Sequence, residues 1–383
     1  MRLERQMPRA RPRPRVMQFV NSLHLGGTEG QVVELLRGLA EGFEMRAAVI
    51  HAEGPHLTSV RRLGIEPLAV PLAGSLARPE TPRQIARLVG VLRRERVELV
   101  HAHDFYTALL AVPAARLAGT RAIVGRLDLA HWLNVPQRVA LAAATRSAHH
   151  VVANAEAIKR AIVETERLPA ERVSVVHNGI DLARFDSDLG GPLAGPLPPL
   201  EGRTVIVHVA NMTHPVKAQE VLFEALRALR ARRPEVLLLL AGDGPRRAGL
   251  EELAAAMGLA GAVCFLGRRS DVPAILARGD IGVLCSSAEG LSNAIIEGMA
   301  ASLPMVVTDA GGNGELVRDE ENGFVVPIGS STMLASRLEM LARARPLRTK
   351  MGQAGRAFVE HELRLERLLE RHEALYRKVL SEG

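Results

Sequence analysis

Short apolar runs alternate with segments of helical spacing along nearly the whole chain, and the alternation happens twice. The first series has runs at 16–20, 47–50, 67–70, 99–102, 122–124, 150–153 and 173–176, with helical segments near 56–63, 81–95, 104–118, 134–148 and 154–167. The second series has runs at 204–210, 236–241, 262–266, 281–285, 304–308 and 323–326. Alternation of this kind predicts right-handed βαβ units and parallel sheets. The runs are apolar throughout, as strands are when helices cover both faces of a sheet. The 383 residues can hold two such domains. The sequence therefore predicts an α/β chain with two doubly wound parallel-sheet domains, at 16–185 and 204–362. A Gly/Pro-rich linker, 186–203, separates them, and a charged helix at 363–383 packs back on the first domain. Asp186 and Asp188 lie in that linker and read as turn residues, so no metal is expected there.

In a parallel sheet the loops that follow the strands emerge along one carboxyl rim, where open α/β sheets bind ligands. In the second series these loops hold Asn211 to Lys217, Gly242-Asp243-Gly244-Pro245, Gly267-Arg268-Arg269, Ser286 to Glu289, and Asp309 to Glu315. Five Gly- or charge-rich loops on one rim exceed what turn chemistry requires. The densest stretch is 285–298, Cys-Ser-Ser-Ala-Glu-Gly-Leu-Ser-Asn-Ala-Ile-Ile-Glu-Gly. It reads as a strand end, a polar loop and a helix apolar nearly all round, the pattern of a core helix. Glu289 and Glu297 flank that helix's start, where backbone N–H groups favour anions. Two readings stay open at this point. Either the carboxylates take hydroxyls and the N–H groups take phosphates, as a nucleotide-sugar would need, or Glu289 is a cap and Glu297 is satisfied by an arginine.

Gly26 and Gly27 precede a helix in the first series and permit close approach of a ligand or a plain tight turn. The glycine spacing is not the dinucleotide fingerprint, which counts against a nicotinamide-dependent enzyme. Only four of the 49 basic residues are lysine, so Lys217 stands out in an arginine-dominated chain. Six arginines within 2–15 suggest a basic disordered arm at 1–15, either solvated or touching anionic lipid. With 3% aromatic residues there is no stacking surface for nucleic acid, and no nucleic-acid partner is expected. No apolar run approaches the ~20 residues of a membrane span, and the N-terminus lacks the apolar segment of a secretory signal. Cys264 and Cys285 fall in apolar strands and read as core thiols in a reducing compartment.

These motifs together resemble the retaining GT-B glycosyltransferases of family 4, the glycosyl transferases group 1. The resemblance covers most of 16–365 and is carried by Glu289 and Glu297 as a glutamate–seven residues–glutamate motif, AGDGP at 241–245, and GGNGELV with NGF at 311–324. Gly26-Gly27, His101-Ala-His103-Asp104 and His177-Asn178-Gly179-Ile180-Asp181 match more loosely. The resemblance implies two Rossmann-like domains facing across a cleft, the N-terminal one for the acceptor and the C-terminal one for the donor. It implies transfer of a sugar from a nucleoside diphosphate-sugar, with UDP as the default, to an acceptor hydroxyl on a saccharide or lipid-linked glycan. No cofactor or metal is expected, and the setting would be cytoplasmic, at the inner face of the cell membrane. By this resemblance Lys217 holds phosphate, Glu297 the ribose diol, and Glu289 with the N–H groups of Gly290 and Leu291 the sugar hydroxyls. Gly27 would approach the distal phosphate, while Gly244 and Asn293 complete the donor set. Asn211 stands where the family usually has a phosphate arginine, and His214 or Arg268 is a candidate to compensate. Arg126 takes the place of the family's usual histidine as a catalytic or acceptor-side candidate, with His131 a second choice. His101 and His103 are acceptor-side candidates or structural hydrogen-bonding groups. A nucleotide-sugar epimerase and a non-catalytic nucleotide-sugar-binding relative are the alternatives.

Overall fold

The computed structural model describes residues 13–72 and 79–382. Thirteen strands occur among them: β1 Arg15–Val20, β2 Glu44–Val49, β3 Leu68–Ala69, β4 Leu99–Ala102, β5 Arg121–Arg126, β6 His150–Ala153, β7 Val173–Val175, β8 Thr204–Val209, β9 Val236–Ala241, β10 Val263–Gly267, β11 Ile281–Leu284, β12 Met305–Thr308 and β13 Gly323–Val326. They form a seven-stranded sheet, β3-β2-β1-β4-β5-β6-β7, and a six-stranded sheet, β10-β9-β8-β11-β12-β13. The pairings run parallel, as between β8 and β9, where Thr204 to Val209 register against Val236 to Ala241. Every residue of β9 is buried, which explains its unbroken Val-Leu-Leu-Leu-Leu-Ala run. The helix Gln219–Arg230 covers that core with Leu222, Phe223, Leu226 and Leu229, where steps of three and four from Leu222 and Phe223 keep one face apolar.

Two compact units divide the chain. One takes residues up to Gly125, Asn134–Val152 and Leu369 onward; the other takes Arg126–Leu133 and Ala153–Leu368. The segment after β6, which includes β7, thus falls in the second compact unit, whereas the sequence reading ends the first domain at 185. Long-range hydrogen bonds explain the difference. Glu315, in the one-turn helix Asn313–Leu316 that follows β12, accepts from the N–H groups of Glu156 and Ala157 at 2.8 Å each and meets His177 at 3.2 Å. Glu315 thereby caps the helix Glu156–Glu166, whose own N-cap residue, Ala155, has no polar side chain. The expected linker also begins inside a helix, Leu182–Leu189.

Residues 1–12 of the expected basic arm lie outside the described residues. Its last residue, Arg15, opens β1 instead of ending a disordered tail. The Arg15 guanidinium donates to Glu44 at 2.7 Å and to the Glu95 carbonyl at 2.6 Å.

Within the first unit, the C-terminal helix Leu365–Ser381 sends Tyr376 against β1 and β4. The Tyr376 hydroxyl sits 2.8 Å from His101 Nδ1 and accepts from Gln18 Nε2 at 3.1 Å. His103 Nε2 lies 2.7 Å from Gln18 Oε1, and the two imidazoles are 4.0 Å apart. Burial pushes both histidines below their ordinary value, His103 to about 3. Of the two readings left open for them, these contacts supply the structural one: both are buried, 1% and 6% exposed, and each holds a hydrogen bond beneath the helix. Tyr376→Phe would leave His101 Nδ1 without its partner and is expected to cost about 1–3 kcal/mol, read as a lower urea midpoint at unchanged slope. An unshifted midpoint would show that water replaces the hydroxyl.

Candidate functional site

The strand order of the six-stranded sheet reverses between β8 and β11, so the loops leaving their carboxyl ends lie side by side. Short bonds zip these loops together. The N–H of Ser287 donates to the Val216 carbonyl at 2.8 Å, and the Cys285 thiol reaches the carbonyls of Lys217 and Ala218 at 3.3 Å each. Lys217 ends a one-turn helix, Pro215–Lys217, and Ala218 takes a left-handed conformation, φ 48°, that turns the chain into the next helix. This geometry aims the Lys217 ammonium at Glu289, which it meets at 2.5 Å. The Ser286 hydroxyl donates to the same oxygen, Oε1, at 2.5 Å. Both charged side chains are mostly buried, 19% and 11% exposed. Among the described residues, Glu289 Oε2 has no partner.

Gly290 follows. A Cβ built on it would lie 1.9 Å from the Leu127 carbonyl oxygen, so only glycine fits there. Among the described residues no acceptor meets the N–H of Gly290 or of Leu291. The Gly290 carbonyl accepts from Gly312 at 2.9 Å, which fixes the direction in which the Gly290 loop opens. Asn178, in the loop after β7, donates to Asn293 Oδ1 at 2.7 Å and so pins the start of the helix Asn293–Ala300.

Glu297 lies one turn into that helix. No described residue hydrogen-bonds or pairs with its carboxylate. Burial alone pushes its carboxyl up to about 7. The two glutamates of the motif thus have opposite environments, one held by two donors and one by none.

Asn211 and Gly244 belong to neighbouring loops. The N–H of Met212 donates to the Asp243 carbonyl at 2.9 Å, and a Cβ on Gly244 would come within 2.5 Å of the Met212 carbonyl carbon. The Asn211 side chain accepts from Thr213 N–H at 3.2 Å. Arg268 is exposed, and His214 contributes its carbonyl, which Arg246 reaches at 3.4 Å. Arg246 also pairs with Glu220, so it is the guanidinium packed on the Lys217 turn. Arg126 is not on an open loop. It is buried and donates to Glu166 at 2.6 Å. His131 is exposed on the following turn. Gly27, in the other unit, is the first residue of the helix Gly27–Gly38. Sequence reasoning missed Ser286, Asn178, Glu315 and Arg246. Ser286, Glu315 and Asn178 each fall in a stretch the sequence singles out, yet nothing there says what they touch, and Arg246 has no signal.

Among the described residues no cluster of three or more His, Cys, Asp or Glu side chains is arranged to hold a metal, and no helix is long and apolar enough to cross a membrane.

Residues 203–344 match the family model described as glycosyl transferases group 1, and residues 25–184 match glycosyltransferase family 4. The alpha-D-kanosaminyltransferase of Streptomyces kanamyceticus is 30% identical over 288 residues, covering 68% of this chain and 72% of that protein. An Escherichia coli UDP-Gal:alpha-D-GlcNAc-diphosphoundecaprenol alpha-1,3-galactosyltransferase is 25% identical over 264 residues, 64% of this chain and 66% of its own. The crystal structure of Anabaena Alr3699/HepE in complex with UDP shares the fold with a TM-score of 0.82 at 20% identity, covering 95% of this chain and 100% of that one.

The state of Glu297 makes a prediction about the ligand-free protein. An unfolded glutamate releases its proton near 4.5, whereas the folded state keeps this one up to about 7. The folded state therefore binds more protons in that window, and stability falls as pH rises through it, by roughly 2–3 kcal/mol at most. Glu297→Gln removes this titration, so the variant should melt higher than wild type at pH 8 and nearly equal to it at pH 5. Melting curves that stay parallel from pH 5 to 8 would show that Glu297 is ordinary.

Proposed function

The chain belongs to glycosyltransferase family 4 and has the GT-B fold, and from that premise we propose that it moves a sugar from a UDP-sugar to a hydroxyl of a saccharide or lipid-linked acceptor, retaining anomeric configuration without a metal ion. The observation that carries this reading is the pairing of Lys217 with Glu289 at the switch point, one helical start away from the unpartnered Glu297. The Lys217 ammonium stabilises the diphosphate as charge grows on it during bond cleavage. The N–H groups of Gly290 and Leu291 and the open oxygen of Glu289 take the sugar hydroxyls. Glu297 accepts from the ribose diol, which suits a carboxylate with no competing donor. The leaving phosphate itself takes the acceptor proton. UDP is favoured because the Anabaena neighbour is a UDP complex and the E. coli relative is named for a UDP-linked donor. The latter's diphosphoundecaprenol acceptor supports a lipid-linked glycan, which would bring the enzyme to the inner face of the cell membrane. Asn211 and Gly244 line the donor side with uncharged groups.

The test is a panel of UDP-sugars with release of UDP followed over time. Turnover should depend on Lys217, and Glu297→Ala should weaken UDP binding about 10-fold or more by removing acceptors for two hydroxyls. Formation of an isomeric UDP-sugar without acceptor would indicate an epimerase instead. No release from any donor, together with unchanged UDP binding by Glu297→Ala, would sink the assignment.

The same carboxyl predicts a pH dependence of binding. Diol hydroxyls donate to the ionised form, so UDP affinity should rise about 10-fold from pH 6 to pH 8 as Glu297 loses its proton near 7. Titration calorimetry at the two pH values reads this directly. A flat profile would mean that Glu297 does not receive the ribose.

A further inference from the structure

Ser286 is fully buried and sits three residues before Glu289, behind the site. A buried hydroxyl needs a reason, because leaving water is costly unless its bonds are made. Here they are made in a chain. Asn313 Nδ2 donates to the Thr308 carbonyl at 3.1 Å, Thr308 Oγ1 donates to the Ser286 carbonyl at 2.5 Å, and Ser286 Oγ donates to Glu289 Oε1 at 2.5 Å. All three side chains that donate are at most 1% exposed. The chain runs from the loop after β12, through the end of β12, to the loop after β11, and it ends on one oxygen of one carboxylate.

That oxygen has a second donor, the Lys217 ammonium. The two bonds differ in what happens when a diphosphate arrives. The ammonium is drawn toward phosphate oxygens, whose negative charge exceeds that of one carboxylate. The Ser286 hydroxyl is confined by burial and cannot follow. We propose that Ser286 is the positioning residue that keeps Glu289 in its rotamer once the donor has engaged Lys217, so that Oε2 stays turned toward the sugar while Oε1 is anchored. Thr308 supports it by fixing the Ser286 backbone. This inference rests on the donor-site reading above and extends it to two residues that the reading does not use.

The role predicts a split between binding and turnover. Ser286→Ala leaves Lys217, Glu297 and the N–H groups intact, so UDP affinity should stay within about threefold of wild type. Turnover of a UDP-sugar should fall about 10- to 100-fold, because a misplaced contact to the reacting sugar costs rate more than it costs binding. Thr308→Val, nearly the same shape without the hydroxyl, should show a smaller loss of turnover in the same direction and decides the matter if Ser286→Ala does not fold. Ser286→Thr retains the hydroxyl and should recover most of the rate.

The assay follows UDP formed from UDP-glucose, UDP-galactose and UDP-N-acetylglucosamine by the slow transfer of sugar to water, so no acceptor need be known. In that step the anomeric carbon–phosphate oxygen bond breaks, water supplies the new bond, and its proton leaves with UDP. If Ser286→Ala and Thr308→Val turn over donor at the wild-type rate, the positioning role is wrong while the transferase reading stands. If both lose UDP binding as much as turnover, the residues are structural and the role is again wrong. If the wild-type protein neither binds UDP nor releases it from any donor, the reading itself fails and the positioning role falls with it.

Discussion

A lysine and a glutamate meet at 2.5 Å where two loops of the second sheet lie side by side, and much of the surrounding structure exists to keep them there. Taking both charges largely out of water is costly, and their attraction offsets that cost only with good geometry and further hydrogen bonds. The geometry comes from the strand order, which sets the ends of β8 and β11 next to each other. The further bonds come from Ser286 on the carboxylate and from the Ser287–Val216 and Cys285–Lys217 contacts between the loops. Such a pair contributes little to stability by itself.

Glu297 shows the opposite solution eight residues away. It has no donor, and burial alone pushes its carboxyl up to about 7. Two carboxylates of one motif are thus driven apart by environment. Glu289 is held by an ammonium and a hydroxyl, whereas no described residue hydrogen-bonds the Glu297 carboxylate.

The parallel strands, the helices between them and the glycine-rich rim were legible because each leaves a local pattern: unbroken Val/Leu/Ile runs, three-to-four spacing, and loops of turn residues. Lys217, Glu289 and Glu297 were legible because their residue types are out of place, a rare lysine and two acids around an apolar helix. What the sequence hid was contact over long separations. Nothing near Glu315 announces that it caps a helix about 160 residues earlier. The partner of Arg126, Glu166, is 40 positions away and leaves no local mark. The alternatives left open for His101 and His103 could not be weighed from sequence, because the hydroxyl that meets His101 is that of Tyr376, 275 positions away.

Ser286 was passed over for a different reason. A serine after a strand is an ordinary turn residue, and only its burial and its single acceptor separate it from the exposed Ser287 beside it. The distinction follows from alternation. Side chains leaving a strand end point in turn inward and outward, so of two adjacent serines one faces the sheet interior. The inward one meets Thr308 and Glu289; the outward one meets Val216. A site on a parallel-sheet rim is therefore built from two layers that sequence renders as one. The outer layer is charged and visible by composition. The inner layer is small, polar and buried, and it becomes visible only when the question asked of each hidden hydroxyl is where its hydrogen bond goes.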